Sequence, residues 1–240
     1  METTLARQDF NTEVGSDMEN VAVIGAGFAG LVNALGYADL GNSVSYFDVG
    51  GILDRSRNIQ RERLSFPTSY AEAIHGAEFI VIAGVPMQDM LTVVESIADA
   101  LDHPLTIINK SAVPVGTGDW VAEIIRNRRP DAPEFAVVSC PEFLRKSNAV
   151  EDFMNPRRAV LGSVNRDAAI QVAEKFYIPY FIPVTITDLR TAEMIKYASG
   201  AFLATKVSFV NEITNICKAL GADAEIVISS IGEIFDYLLE

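Results

Sequence analysis

The chain is poor in the residues that most often carry metal or disulfide chemistry. Its 240 residues hold two cysteines and two histidines. Cys140 and Cys217 stand far apart in no metal-ligand spacing, which excludes a disulfide scaffold and leaves a zinc site short of ligands. No metal is expected, and so sparing a use of cysteine fits a reducing, cytoplasmic compartment. Positive charge is also scarce. Nineteen Lys and Arg against 32 Asp and Glu give a formal net charge of −13, a surface that a phosphate backbone or an anionic leaflet repels. Neither nucleic acid nor membrane is expected as a partner. No apolar run approaches the roughly 18 to 20 residues that span a bilayer. The first twenty residues carry Glu2, Asp9, Glu13, Asp17 and Glu19 against Arg7 and lack the apolar stretch of a secretory signal. Residues 1–19 are therefore expected to form a flexible acidic arm.

What remains is the composition of an ordinary folded protein, 49% hydrophobic and 21% charged, long enough for one large domain or one domain plus a fragment of another. Short β-branched runs at Val21–Ile24, Ser43–Phe47, Phe79–Ala83, Leu105–Asn109, Phe135–Val138 and Arg158–Gly162 alternate with segments of helix length. That alternation predicts an α/β fold, a doubly wound Rossmann-type parallel sheet over residues 20–187, followed by a long C-terminal helix. From Asp188 to Leu220 there is no proline, and apolar residues such as Met194, Phe202, Val207, Val210 and Ile213 recur on nearly every side. A long, largely buried helix is expected there, with Asp188 as N-cap and Gly221 just past its end. At about 1.5 Å per residue it makes a rod of about 45 Å. Such a rod outruns one small domain, so residues 188–240, the long helix plus a short terminal one, read as a region covered by a second domain or by a second subunit in a homodimer.

Val21-Ala-Val-Ile runs into Gly25-Ala-Gly27-Phe-Ala-Gly30 and then into the helical Leu31–Leu40, the strand, turn and helix order of a dinucleotide fingerprint. Gly25 allows the tight turn, Gly27 admits the pyrophosphate to the helix N-terminus, and Gly30 lets helix and strand pack closely. Asp48 ends the second strand, where its carboxylate accepts from the adenine-ribose hydroxyls and repels a 2′-phosphate, which favours NAD over NADP. Arg55, Arg57, Arg61 and Arg63 follow; the reading taken is a solvated basic face, the other being that one of them reaches a 2′-phosphate. Phe28 and Ala29 within the turn, with Val85 and Ser111 after the third and fourth strands, complete the expected cofactor-binding set.

Three further segments carry a resemblance. Lys110-Ser-Ala-Val-Pro-Val-Gly-Thr117, Pro141-Glu-Phe-Leu-Arg-Lys-Ser-Asn-Ala-Val-Glu-Asp-Phe-Met-Asn-Pro156, and the run from Thr191 through Lys196, Asn211-Glu212 and Gly221-Ala-Asp223 resemble the UDP-glucose/GDP-mannose dehydrogenase family over roughly Asn20 to Gly232. The resemblance implies NAD-dependent oxidation of a nucleotide sugar's primary alcohol to a carboxylate in two hydride transfers, and dimerisation through the long helix. The second transfer passes through a thiohemiacetal on a cysteine, in a Gly-Gly-x-Cys segment that the family carries beyond the stretch matched here. The expectation is a cofactor domain and long helix without that segment, either a piece of a longer dehydrogenase or a chain of reduced function.

Three positions depart from the family's pattern. Ala112 stands where a threonine helps position a catalytic water, Lys146 where a second glutamate stands, and Gly200 where an asparagine joins Lys196 in stabilising the oxyanion. Two loops are also shorter, after Asp48 and after Gly84-Val-Pro86. Lys196 as alkoxide stabiliser and Glu142 as orienter of water or proton relay suffice for one alcohol–carbonyl hydride transfer. Acid formation through a thioester needs a thiol facing the substrate, and Cys140 reads as a small buried thiol in a tight turn. Lys146 either points to solvent or, with Lys196, draws an anionic group to the site. The expected substrate is thus a nucleotide sugar or another anionic small molecule, with a pseudoenzyme that binds NAD or a partner protein as the alternative. Gly200 is costly in mid-helix and makes room for a bulkier ligand or a close helix, or marks a relaxed site. His75 and His103 have no acid–base partner in view and are given no role.

Overall fold

A computed structural model describes residues 3–4, 18–50, 61–145 and 147–237. Two compact units result, one running to Lys196 and the other Tyr197–Glu240. In the first, nine strands form one sheet: β1 (Thr3–Thr4), β2 (Asn20–Gly25), β3 (Ser43–Asp48), β4 (Leu64–Ser65), β5 (Phe79–Ala83), β6 (Leu105–Asn109), β7 (Phe135–Ser139), β8 (Ala159–Ser163) and β9 (Val184–Thr187). Their spatial order is β1-β9-β8-β7-β6-β5-β2-β3-β4. The chain winds outward from β2 to β4, returns to β5 beside β2, and then winds the other way. This reversal opens a crevice at the carboxyl ends of β2 and β5, where open α/β sheets take their ligands.

The pairing is parallel except at β7–β8 and β1–β9. The sheet is buried on both faces because helices lie against each. Alternation along β5 sends Phe79, Val81 and Ala83 into one core layer and Ile80 and Ile82 into the other. The first layer holds an aromatic cluster in which Phe176 meets Phe79 and Tyr37 edge-on, each with centroids 5.0 Å apart. The second receives the helix Met87–Ala100, whose buried positions 90, 93, 94, 97 and 98 follow helical spacing. Removing a ring such as that of Phe79 from this core costs roughly 3–5 kcal/mol.

Each of the six strands read from the sequence is present to within a residue at either end. The short strands β1, β4 and β9 were not read. Of the expected acidic arm, Thr3–Thr4 is not free but pairs with Ile186 and Thr185 of β9, while residues 5–17 lie outside the described residues. Glu19 is buried and ion-paired with Lys175 at 2.5 Å.

The long helix spans Leu189–Leu220. Asp188 accepts from the Thr191 amide at 2.9 Å and Gly221 takes a φ of 70°, the two end signals the sequence offered. Its burial within the single chain is uneven. Within the first unit Leu189, Ala192 and Glu193 are buried, whereas in the second Phe202, Leu203, Val207, Phe209, Ile216 and Leu220 are exposed. That unit consists of the remainder of this helix and the helix Ala224–Tyr237, and one neighbouring helix covers only a stripe of a helix that is apolar all round. Among the described residues, no helix is long and apolar enough to cross a membrane.

Candidate functional site

The turn after β2 is shaped by its glycines. A Cβ on Gly25 would stand 2.7 Å from the Gly30 Cα, and one on Gly30 2.8 Å from the Gly25 Cα, so strand and helix touch here as only glycine allows. Gly27 has a φ of 62° and open space where its Cβ would be. It begins helix α1 (Gly27–Asp39), whose N-cap Ala26 supplies no side-chain acceptor. The first amides of α1 therefore face an open cradle, with Phe28 exposed and Ala29 half-buried beside them.

Asp48 closes the neighbouring strand. Its Oδ1 accepts from the Gly50 amide at 2.9 Å, while its Oδ2 is buried, with the Tyr46 hydroxyl facing the carboxylate but no donor in full hydrogen-bond geometry among the described residues. A buried carboxylate with acceptor capacity to spare, beside an open helix N-terminus, fits the ribose hydroxyls and pyrophosphate of a dinucleotide. Arg61 pairs with Asp39 at 3.8 Å, and Arg63 donates to the Gly41 carbonyl and to Met18 Sδ. Both are engaged away from Asp48; Arg55 and Arg57 lie outside the described residues. On the far side of the crevice Ser111 ties two strand ends together. Its Oγ accepts from the Val85 amide at 3.1 Å and donates to the Ile82 carbonyl at 3.3 Å.

A small, partly open recess with room for about one water molecule lies at the ends of β6 and β7, with Asn109, Ser111, Ser139, Glu193 and Lys196 among its lining. Lys196 Nζ donates to the Glu142 carbonyl at 2.6 Å and sits 5.2 Å from the centre of the Phe143 ring, whose centre Arg158 approaches to 5.0 Å. Glu142 turns its carboxylate the other way: Oε2 accepts from Asn33 Nδ2 at 2.9 Å. Burial pushes the Glu142 carboxyl above the usual range, against the opposing pull of Lys110, the Asn33 hydrogen bond and Lys196. The structure thus brings Lys196 onto the loop that carries Glu142, with the ammonium on the main chain rather than on the carboxylate.

One turn before Lys196, the carboxylate of Glu193 is 2% exposed and fully engaged. It accepts from the Gly116 amide at 2.6 Å, the Gly118 amide at 2.7 Å and Ser139 Oγ at 3.0 Å. Gly116 is the N-cap of the helix Thr117–Arg128, has a left-handed φ of 98° and no side-chain cap of its own. Glu193 caps that helix from another element. Asn33 is marked by no sequence motif, and Glu193, although it lies within the Thr191–Lys196 run that carries the resemblance, is given no role there. The signal for it is an acid three residues before Lys196 and hence on the same helical face.

Cys140 is buried, with Sγ 3.1 Å from Tyr177 Oη. Tyr177 also accepts from Lys110 Nζ at 3.4 Å, and that ammonium lies 5.3 Å from the Phe153 ring centre. The thiol therefore belongs to an interior polar cluster, in keeping with its reading as a small buried residue. Ala112 is exposed, Lys146 lies outside the described residues, and Gly200 is an exposed residue of the second unit. The histidines differ from expectation. His103 contacts Asp102 through Nδ1 and the Ala77 carbonyl through Nε2 at 2.7 Å, and His75 Nδ1 lies 3.6 Å from the same Asp102. Asp102-His103-Pro104 folds back toward the residues before β5, a proximity that local sequence does not encode.

Comparison with known proteins bears on the whole chain. Residues 55–181 match the model of the UDP-glucose/GDP-mannose dehydrogenase family, NAD binding domain, and residues 190–234 match that family's central domain. The UDP-glucose 6-dehydrogenase TuaD of Bacillus subtilis is 40% identical over 242 residues, covering 90% of this chain and 52% of its own length. A UDP-glucose dehydrogenase from Pyrobaculum islandicum superposes with a TM-score of 0.80 at 30% identity, over 92% of this chain and 58% of that one. A ternary complex of GDP-mannose dehydrogenase from Pseudomonas aeruginosa gives a TM-score of 0.77 at 27% identity, over 88% and 56%. The chain spans about half the length of the curated relatives it matches.

Proposed function

The chain belongs to the UDP-glucose/GDP-mannose dehydrogenase family, and from that premise we propose that residues 20–196 bind NAD and support a two-electron oxidation of a CH–OH group in a nucleotide sugar or similar anionic substrate. The observation that carries the reading is the placement of Lys196 on the Glu142 loop at a recess beside Ser111, which ties the end of β6 to the end of β5, one of the two strands that border the dinucleotide crevice.

Gly25, Gly27 and Gly30, with Phe28 and Ala29 at the helix start, would hold the pyrophosphate, and Asp48 would accept from the ribose hydroxyls. Val85 and Ser111 would border the nicotinamide. Bound NAD supplies the hydride acceptor. Lys196 Nζ, released from the Glu142 carbonyl, donates to the substrate oxygen as its proton leaves, and Glu142 takes or relays that proton. The alcohol loses one hydride and one proton and leaves as a carbonyl compound. Oxidation onward to the acid requires a thiol at that carbonyl, and Cys140 is turned into the interior cluster; the second step is not assigned to these residues. Two features support NAD over NADP in this reading: Asp48 at the end of its strand, where a carboxylate would repel a 2′-phosphate, and the engagement of Arg61 and Arg63 with Asp39 and the Gly41 carbonyl.

A second reading is favoured by Ala112 and Gly200, which place no hydroxyl or amide where the family's pattern has them: the chain binds NAD without turnover. Incubation with NAD and a panel of nucleotide sugars and hydroxy acids, followed by NADH absorbance, separates the two. Turnover that Lys196→Met abolishes supports the dehydrogenase, and NAD binding without NADH on every substrate supports the second reading. We also assign the exposed apolar side chains of residues 197–220 to contact with a second copy of the chain, residues 188–240 being the dimerisation region. A sedimentation mass of one chain at micromolar concentration would contradict that. A cytoplasmic location is part of the same proposal.

A further inference from the structure

Asn33 lies on the second turn of α1, completely buried. Its Nδ2 sits 2.9 Å from the Ala29 carbonyl, inside the dinucleotide turn, and 2.9 Å from Glu142 Oε2, 109 residues away in sequence. Both amide hydrogens are thereby committed. The orientation of the group is fixed, because turning it over would set Oδ1 against the Ala29 carbonyl, acceptor against acceptor. Oδ1 is buried and has no partner among the described residues, an uncompensated cost that a leucine of similar volume would not incur. Stability alone does not favour asparagine at this position.

We infer that Asn33 is a positioning residue, whose single amide ties the dinucleotide turn to Glu142 and holds that carboxylate in one orientation as a hydrogen-bond acceptor. The inference rests on the reading of Glu142 as the proton-handling group of the site. The charged and titratable groups facing Glu142 are Lys110 at the end of β6, Lys196 on the long helix, and Tyr37 on α1. The two lysines and the Asn33 donor favour its ionised form and burial opposes it. Among the described residues, Asn33 is the one neighbour that touches the carboxylate with a directed donor and adds no charge. It therefore sets where the carboxylate points as well as its readiness to take a proton.

Carbon-13 labelling of glutamate side-chain carboxyls in the 240-residue chain, with Glu142 assigned by its loss in Glu142→Gln, reads the proposal directly. In Asn33→Leu the titration midpoint of Glu142 rises by about one pH unit, the size expected for loss of one hydrogen bond to a buried carboxylate. In the isosteric Asn33→Asp it rises further, because a second carboxylate faces the first. An unchanged midpoint in both variants, even with reduced thermal stability, means that Asn33 is merely structural and overturns the proposal. Should Asn33→Leu fail to fold by circular dichroism, Asn33→Asp alone decides. The titration needs neither cofactor nor turnover, so failure to bind NAD or to oxidise a substrate would count against the proposed function without touching this result.

Discussion

The carboxylate of Glu193 accepts the Gly118 amide at 2.7 Å, joining the helix that carries Lys196 to the start of the helix that follows the Lys110–Thr117 turn. The approach at Gly118 is close: a Cβ would stand 2.8 Å from Leu189 Cδ2 and 2.9 Å from Ser139 Oγ, so those side chains would have to shift to admit one. The position of Lys196 thus depends on a contact made one helical turn earlier, with two amides and a hydroxyl that have no other bond among those described.

Glu193→Ala leaves those donors buried and unpaired, which costs about 3 kcal/mol. The expected result is a fall in Tm of roughly 6–12 °C. Glu193→Gln, which keeps the shape and loses one acceptor, falls by less. A thermal melt of Glu193→Ala within about 2 °C of the parent would remove the capping role.

Gly36 lies under the Phe153 ring, and a Cβ there would overlap it. Gly36→Ala is therefore expected to destabilise by roughly 1–3 kcal/mol. Pairing it with Phe153→Leu should recover part of the loss, since the smaller side chain makes room. Denaturant unfolding of the single and double variants checks the coupling, and a double variant no more stable than Gly36→Ala argues against that contact.

The imidazolium form of His103 can donate at both ring nitrogens, to the Ala77 carbonyl and to Asp102, and these two contacts raise its pKa above the ordinary 6.5. Asp102 is held below its ordinary 3.8 by His103 and His75. For the raised histidine, stability is fully present below about pH 6.5 and is lost as pH rises through the folded value. For the lowered aspartate, stability is present above about pH 3.8 and is lost as pH falls through its folded value. The Tm difference between the parent and His103→Gln is accordingly largest near pH 5–6 and shrinks above about pH 7. A difference that grows toward alkaline pH would reverse the assignment.

The parts of this molecule that read clearly from sequence are those whose cause is local. Gly25, Gly27, Gly30 and Asp48 mark the cradle because the turn's backbone demands glycine and the strand end sets the carboxylate. Asp188 and Gly221 mark the ends of the long helix because capping is settled within a few residues. What stayed hidden is set by distant neighbours. Glu193 finds its donors 54 to 77 residues away, Asn33 finds Glu142 109 residues away, and His103 meets the Ala77 carbonyl across the base of the sheet. The short strand β9 follows Pro183 and is too brief for its alternation to register. What covers Phe202 or Leu203 is not legible in the sequence either, because apolar composition states a need for cover and does not say whether the chain itself supplies it.

The central claim is that Asp48 and the open turn at Gly27 form a site for NAD. Calorimetric titration of the purified chain with NAD and with NADP, alongside Asp48→Ala, tests it most directly. The expected result is binding of NAD, at least tenfold weaker binding of NADP, and a loss of about 1–2 kcal/mol of NAD affinity in Asp48→Ala as the ribose hydrogen bonds go. No binding of NAD by the parent chain, or equal affinity for the two dinucleotides that Asp48→Ala leaves unchanged, would contradict it.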